Sequence, residues 1–230
     1  MTKLVLAVWA RPEANLASRL LEVVGPRLTE LADGVQVNVS DGPVAGALLR
    51  ITHFERPVDS VVSLWLDEVD AAKVVRTVSD DGSVADVAGW WVEETVPLPP
   101  PLGELGHRSP GLANVAFLRR PDGMDHPHWR ERWKTHHTPV AIATQSTFGY
   151  IQNEVLGRAT PDAPVVAAIV EELFPIEALS DLHAFYGSAG DDAELGRRMT
   201  AMLESVATFG ADRDIDVVPT SRYLLKHAPG

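Results

Sequence analysis

The chain has 230 residues, 45% of them hydrophobic, and 20 basic against 32 acidic side chains give a net charge of −12. That apolar share supports a buried core and excludes a disordered composition, while the acidic balance argues against nucleic acid or an anionic membrane as partner. Cysteine is absent, so disulfides, thiolate nucleophiles and Cys-ligated metals are excluded. The opening run Lys3–Val8 is too short for a leader, and nothing reaches the ~20 apolar residues of a membrane span; a cytoplasmic location is expected.

Residues 3–10 are apolar and Val/Leu-rich, ending at Arg11-Pro12, and read as a buried strand. Leu16, Leu20, Val23, Val24, Leu28 and Leu31 recur at helical spacing from Ala14 to Ala32, with a break expected at Gly25-Pro26. Val35, Val37 and Val39 alternate with Gln36, Asn38 and Ser40 as in a strand, and a short extra strand is expected at 47–52. A strand at 60–67, a helix at 69–78 and a strand at 90–98 complete the first half. Leu98-Pro99-Pro100-Pro101-Leu102-Gly103 then forms a stiff extended linker. Beyond it come a strand at 114–120, a helix at 126–144 interrupted by Pro139, and strands at 147–156 and 165–171. Helices at 176–185 and 192–209 and a strand at 215–225 close the chain.

Each half therefore reads β-α-β-β-α-β. The expected fold class is α+β: two tandem ferredoxin-like repeats, a degenerate one at 1–98 and a second at 111–230, joined by the Pro-rich linker 99–110. A sheet with helices on one face needs cover for the other, so the two bare faces are expected to close on one another inside the chain as a barrel with a central pocket. Alternation then places Gln36, Asn38 and Ser40 on the pocket side, with Ser63, Trp65 and Asp67 from 60–67. From 147–156 the same rule assigns Phe148, Tyr150, Gln152 and Glu154 to the pocket, leaving Ile151 and Val155 under helices.

The segment His126-Pro127-His128-Trp129-Arg130-Glu131-Arg132-Trp133-Lys134-Thr135-His136-His137-Thr138-Pro139, followed by Tyr150-Ile151-Gln152-Asn153, resembles the EthD family. The resemblance rests on a Trp-x-x-x-His-x-Pro step at Trp133, His137 and Pro139, and on Tyr-x-Gln-Asn at 150–153. It implies a ferredoxin-like fold in a dimeric α/β-barrel assembly, within a superfamily of cyclases, cofactor-free monooxygenases and dehydratases. The first half departs from the pattern, with Val24 where the histidine would stand.

His137 is the first candidate for acid/base work, because imidazole titrates near neutrality; the alternative is a packed histidine bonded to a carbonyl such as that of Thr135, freed by Pro139. Tyr150 is the second catalytic candidate, as a donor to a substrate oxygen. Trp65, Asp67, Asn38, Trp129, Trp133, Gln152 and Glu154 are the expected substrate-binding residues. Adjacent His136 and His137 point about 100° apart on a helix, so no metal site is expected, and without a Gly-rich phosphate loop no cofactor either. The reading that follows is a cofactor-independent enzyme of cyclase, dehydratase, decarboxylase or isomerase type, acting on a hydrophobic oxygenated or polyketide-like compound. A non-catalytic binding or accessory protein with the same pocket is the alternative, and the chain is expected to be a monomer or homodimer.

Overall fold

The computed structural model describes residues 2–67 and 70–228. Eight strands close into one barrel: β1 (Thr2–Ala10), β2 (Gly34–Val39), β3 (Ser60–Leu66), β4 (Val84–Leu98), β5 (Leu112–Leu118), β6 (Gly149–Arg158), β7 (Ala168–Phe174) and β8 (Asp216–Lys226). Their order around the ring is β1-β3-β2-β8-β5-β7-β6-β4, and every neighbouring pair is antiparallel.

This corrects the expectation of tandem ferredoxin-like repeats stacked sheet against sheet. The 15-residue β4 pairs with both β1 and β6, and β8 pairs with both β2 and β5, so hydrogen bonds run unbroken around the ring. Closure of this kind removes every sheet edge. The barrel interior is also packed rather than hollow: Val5, Ala7, Trp9, Trp90, Val115 and Phe117 belong to one buried apolar cluster. The expected strand at 47–52 reduces to a single bridge, Ile51 to Val217.

Two interrupted helices cover the outside. Helices α1 (Leu16–Arg19) and α2 (Gly25–Thr29) flank a π turn at Leu20–Val24; α4 (His126–Glu131) and α5 (Thr138–Thr144) flank another at Arg132–His137. A proline lies just beyond each π turn, Pro26 and Pro139. Proline has no N–H and crowds the carbonyl four residues back, so the helix widens, and Gly25 N–H reaches Leu20 O while Thr138 N–H reaches Trp133 O. At position 25 only glycine fits, because a Cβ would lie 2.6 Å from Leu20 O. Helices α3 (Ala71–Ser79), α6 (Leu182–Tyr186) and α7 (Asp192–Ala207) complete the layer; the start expected for α3 at Val69 lies outside the described residues.

The two helix–sheet interfaces differ in chemistry. Beneath α1–α3 the sheet presents Leu4, Leu6, Val8, Val35, Val37 and Leu64, all buried and apolar. Beneath α4–α7 it presents Tyr150 and Val170 against Trp129, Trp133 and Phe209, with polar groups among them. Helix α7 buries no residue fully, although Met202 and Val206 pack against that cluster. A loosely seated helix over a partly polar sheet leaves space.

Candidate functional site

That space is a cavity of about 170 Å³ between the outer face of the barrel and the helices, bordered by Asn114, His137, Gln145, Tyr150, Glu172 and Phe209. Strand β7, Ala-Ile-Val-Glu-Glu-Leu-Phe, is nearly all buried. Two consecutive glutamates in such a strand face opposite ways: Glu171 enters the barrel and Glu172 enters the cavity. Asn114 on β5 and Tyr150 on β6 each stand opposite Glu172. Directly opposed residues have Cβ atoms within ~5.5 Å, so an amide, a carboxyl and a phenol form one row across three strands.

Burial raises the Glu172 pKa to about 7. Its Oε1, the Asn114 Oδ1 and the Gln145 Oε1 are buried without hydrogen-bond partners. The Tyr150 pKa is pushed up, first by burial and then by the Glu172 charge, against smaller opposing effects of Thr138 and Trp133. His137, 5% exposed, lies at the end of the second π turn, its Nδ1 3.0 Å from Ser205 Oγ and its ring 4.7 Å from that of Phe209. Burial lowers its pKa to about 4, so it is neutral at pH 7. Its partner is thus a hydroxyl on α7, where the sequence suggested a backbone carbonyl.

A larger recess of about 530 Å³ opens at the barrel end near Trp9 and Phe54. Both arginines at its border are already paired, Arg119 with Asp216 at 2.9 Å and Arg56 with Asp86 at 4.0 Å. The smaller cavity is the one that combines apolar walls with unpaired polar atoms and a carboxyl poised near neutrality.

The sequence matches no protein family and no curated relative. Among solved structures it is similar to an anthrone oxidase-like protein, with 12% identity and a TM-score of 0.58, covering 100% of this chain and 95% of that one. A "putative monooxygenase" from Fusobacterium nucleatum subsp. nucleatum aligns over 98% of this chain and 92% of its own, with 7% identity and a TM-score of 0.49. The shared fold is the dimeric α/β barrel. At such identity the likeness is one of fold alone, and membership of the EthD family is not confirmed.

On this barrel the expected site residues divide. His137 and Tyr150 meet at the cavity. Trp129 and Trp133, with ring centroids 5.0 Å apart, are buried core behind Tyr150. Gln152 is a brace, donating to Thr138 Oγ1 at 2.7 Å and accepting from Thr95 Oγ1 at 2.9 Å. Glu154 is held by Arg130 at 2.8 Å, Lys134 at 2.6 Å and His126 at 3.2 Å; burial opposes its ionisation, but Lys134 and Arg130 together keep its pKa low. Tyr150, Gln152 and Glu154 thus lie under the helices, and Ile151 and Val155 pack inside the barrel, the reverse of the face assigned from the sequence.

Asn38 and Trp65 do face inward, on the other side of the sheet from the cavity. Asn38 Nδ2 donates to Glu171 at 2.9 Å, and Trp65 stands at the barrel mouth with Lys3 and Glu94. Asp67 is exposed beyond the end of β3. The remaining histidines of the second half's first helix take separate partners, His128 with Asp125 and His136 with Glu131. Asn114, Gln145 and Glu172 escaped the sequence reading. The Glu-Glu pair inside an apolar strand was the available signal, since a strand covered on both faces has no solvent side to offer either carboxylate.

Proposed function

We propose that this chain is a small-molecule enzyme that moves a proton on a compact, hydroxyl-bearing ring compound bound between barrel and helices, with Glu172 as the general base. An engineered cavity of about 150 Å³ accommodates benzene, so a space of about 170 Å³ suits one or two rings. This narrows the polyketide-like substrate expected from the sequence and moves it out of the barrel interior. Three unpaired acceptor atoms call for a ligand that brings O–H donors. Two of them, Asn114 Oδ1 and Gln145 Oε1, orient it.

Glu172 then takes the proton, because a base with a pKa near the working pH combines occupancy of its ionised form with driving force. Tyr150 keeps its proton and donates to the oxygen on which charge develops. Neutral His137, fixed through Nδ1 by Ser205, offers Nε2 as a further hydrogen-bonding group. The carrying observation is the Glu172 carboxyl, placed in an apolar cavity with Tyr150 opposite. Isomerisation, dehydration and cyclisation all begin with such a transfer.

The test follows carbon-bound hydrogen exchange in D2O by NMR, with hydroxyindanones and hydroxytetralones as probes. At least one probe is expected to exchange, faster as pH rises through about 7, with a loss of at least about 100-fold in Glu172→Gln and binding retained. Binding without exchange would favour the non-catalytic reading. Neither binding nor exchange by any probe, or undiminished exchange in Glu172→Gln, would overturn the proposal.

A further inference from the structure

At the barrel mouth opposite Trp9 and Phe54, a recess of about 160 Å³ is bordered by Lys3, Gln36, Trp65, Leu102, Arg222 and Leu224. It holds two buried cations, Lys3 at 4% and Arg222 at 7% exposure. The acceptors around them are heavily committed. Glu171 accepts from Gln36 Nε2 at 2.8 Å and from Asn38 Nδ2 at 2.9 Å, and Gln36 Oε1 accepts from Arg222 Nε at 3.0 Å. Glu94 engages the Lys3 ammonium and accepts from Trp65 Nε1 at 3.4 Å.

Donors are left over. Arg222 Nε also lies 3.4 Å from Glu171 Oε1, whereas its Nη1 is fully buried without a hydrogen-bond partner. A buried N–H without a partner costs stability, and the outer edge of a guanidinium is a rigid fork that fits a carboxylate with two parallel hydrogen bonds. Lys3 lies 4.4 Å above the Trp65 ring. Burial depresses its pKa more than Glu94 restores it, so a second anion would further stabilise the ammonium. Apart from His227, the rest of the recess, Leu102 and Leu224 included, is apolar.

We propose that this mouth is a second binding site, separate from the cavity of Glu172, for a small carboxylate with an aryl or alkyl body. The carboxylate takes the outer edge of Arg222 and reaches Lys3; the body lies against Trp65, Leu224 and Leu102. Glu94, partly exposed at 25%, swings outward as the ligand shares its lysine. The two sites thus differ in kind: the cavity has unpaired acceptors and takes hydroxyl donors, whereas the mouth has unpaired donors and takes an acid.

The test uses benzoate, with benzyl alcohol as the uncharged counterpart, and follows the indole N–H signals by NMR, Trp65 being assigned by loss of its signal in Trp65→Phe. Benzoate is expected to shift Trp65 saturably while leaving Trp133 unmoved, and to bind at least tenfold more tightly than benzyl alcohol. Arg222→Lys should weaken benzoate binding at least tenfold. Leu102, 87% exposed, provides a variant that leaves the interior intact: Leu102→Glu should weaken benzoate and spare benzyl alcohol. An unmoved Trp65 signal, equal affinity for acid and alcohol, or unchanged benzoate binding in a folded Arg222→Lys protein or in Leu102→Glu would overturn the proposal. Glu172→Gln leaves benzoate binding intact, so failure at one site is distinguishable from failure at the other.

Discussion

Tyr150 on β6 and Glu172 on β7 stand directly opposite one another in the antiparallel ladder, and the carboxylate charge helps push the phenol pKa up. Two acids that close, in a site that excludes water, do not both ionise readily. Glu172 therefore titrates first, at about 7, while Tyr150 remains a donor. The pair carries one mobile proton near neutrality and one fixed one, which is the division of labour that acid/base chemistry on an oxygenated ring requires.

The raised Glu172 pKa makes a stability prediction that needs no substrate. Folding lifts it from 4.5 to about 7, so between those values the folded chain holds a proton that the unfolded chain has released. Stability from this group is complete below pH 4.5, falls as pH rises, and levels off above about 7. The loss amounts to at most about 3 kcal/mol. Glu172→Gln abolishes it, so urea denaturation should show the variant gaining on the parent between pH 5 and 8. A constant difference across that range would mean that the carboxyl is solvated.

His137 has the opposite sign. Its pKa drops from 6.5 to about 4 on folding, so between those values the unfolded chain binds the extra proton. Stability from this group is complete above pH 6.5 and is lost as pH falls through about 4, again at most about 3 kcal/mol. From about 4.5 to 6.5 the Glu172 and His137 contributions run against each other and largely cancel in the parent. Single variants separate them: Glu172→Gln unmasks a stability that rises with pH, and His137→Gln one that falls. Stability profiles in which the two variants shift with the same sign would contradict the burial of one group or the other.

Element by element, much of the chain was legible, because most strands alternate and both helices that carry π turns have strong apolar spacing interrupted by proline. Three things were not. Barrel closure depends on pairs such as β2 with β8, whose partners lie far apart in sequence, and no local pattern encodes that. The face of β6 was misread because Tyr150, Gln152 and Glu154 look like pocket or solvent groups until α4, α5 and the π turn between them are seen to bring Thr138, Arg130 and Lys134 to meet them. The sequence places strand β7 about three residues early, ending at Glu171, whereas the strand runs on through Glu172 to Phe174, with Glu171 buried in the barrel and Glu172 half-buried at the cavity, where the proposed chemistry rests on it.

The placement of His137 depends on how the second π turn is closed, and one hydroxyl sits at that junction. Thr138 Oγ1 donates to Trp133 O at 3.0 Å, a carbonyl that the widened turn also shares with the Thr138 N–H, and accepts from Gln152 Nε2 at 2.7 Å. Gln152 in turn accepts from Thr95 on β4. Thr138→Val keeps the shape and removes both bonds, leaving the buried Gln152 amide unpaired on that side, at a cost of about 1–3 kcal/mol. Gln152→Leu alone removes the same link from the other end. If the link is what anchors the turn, the double variant costs clearly less than the two singles combined, with a coupling of about 1 kcal/mol or more in urea denaturation. Simple additivity would show that the π turn is held by Pro139 and the tryptophan packing alone, and that the Thr138–Gln152 contact follows the position of His137 without setting it.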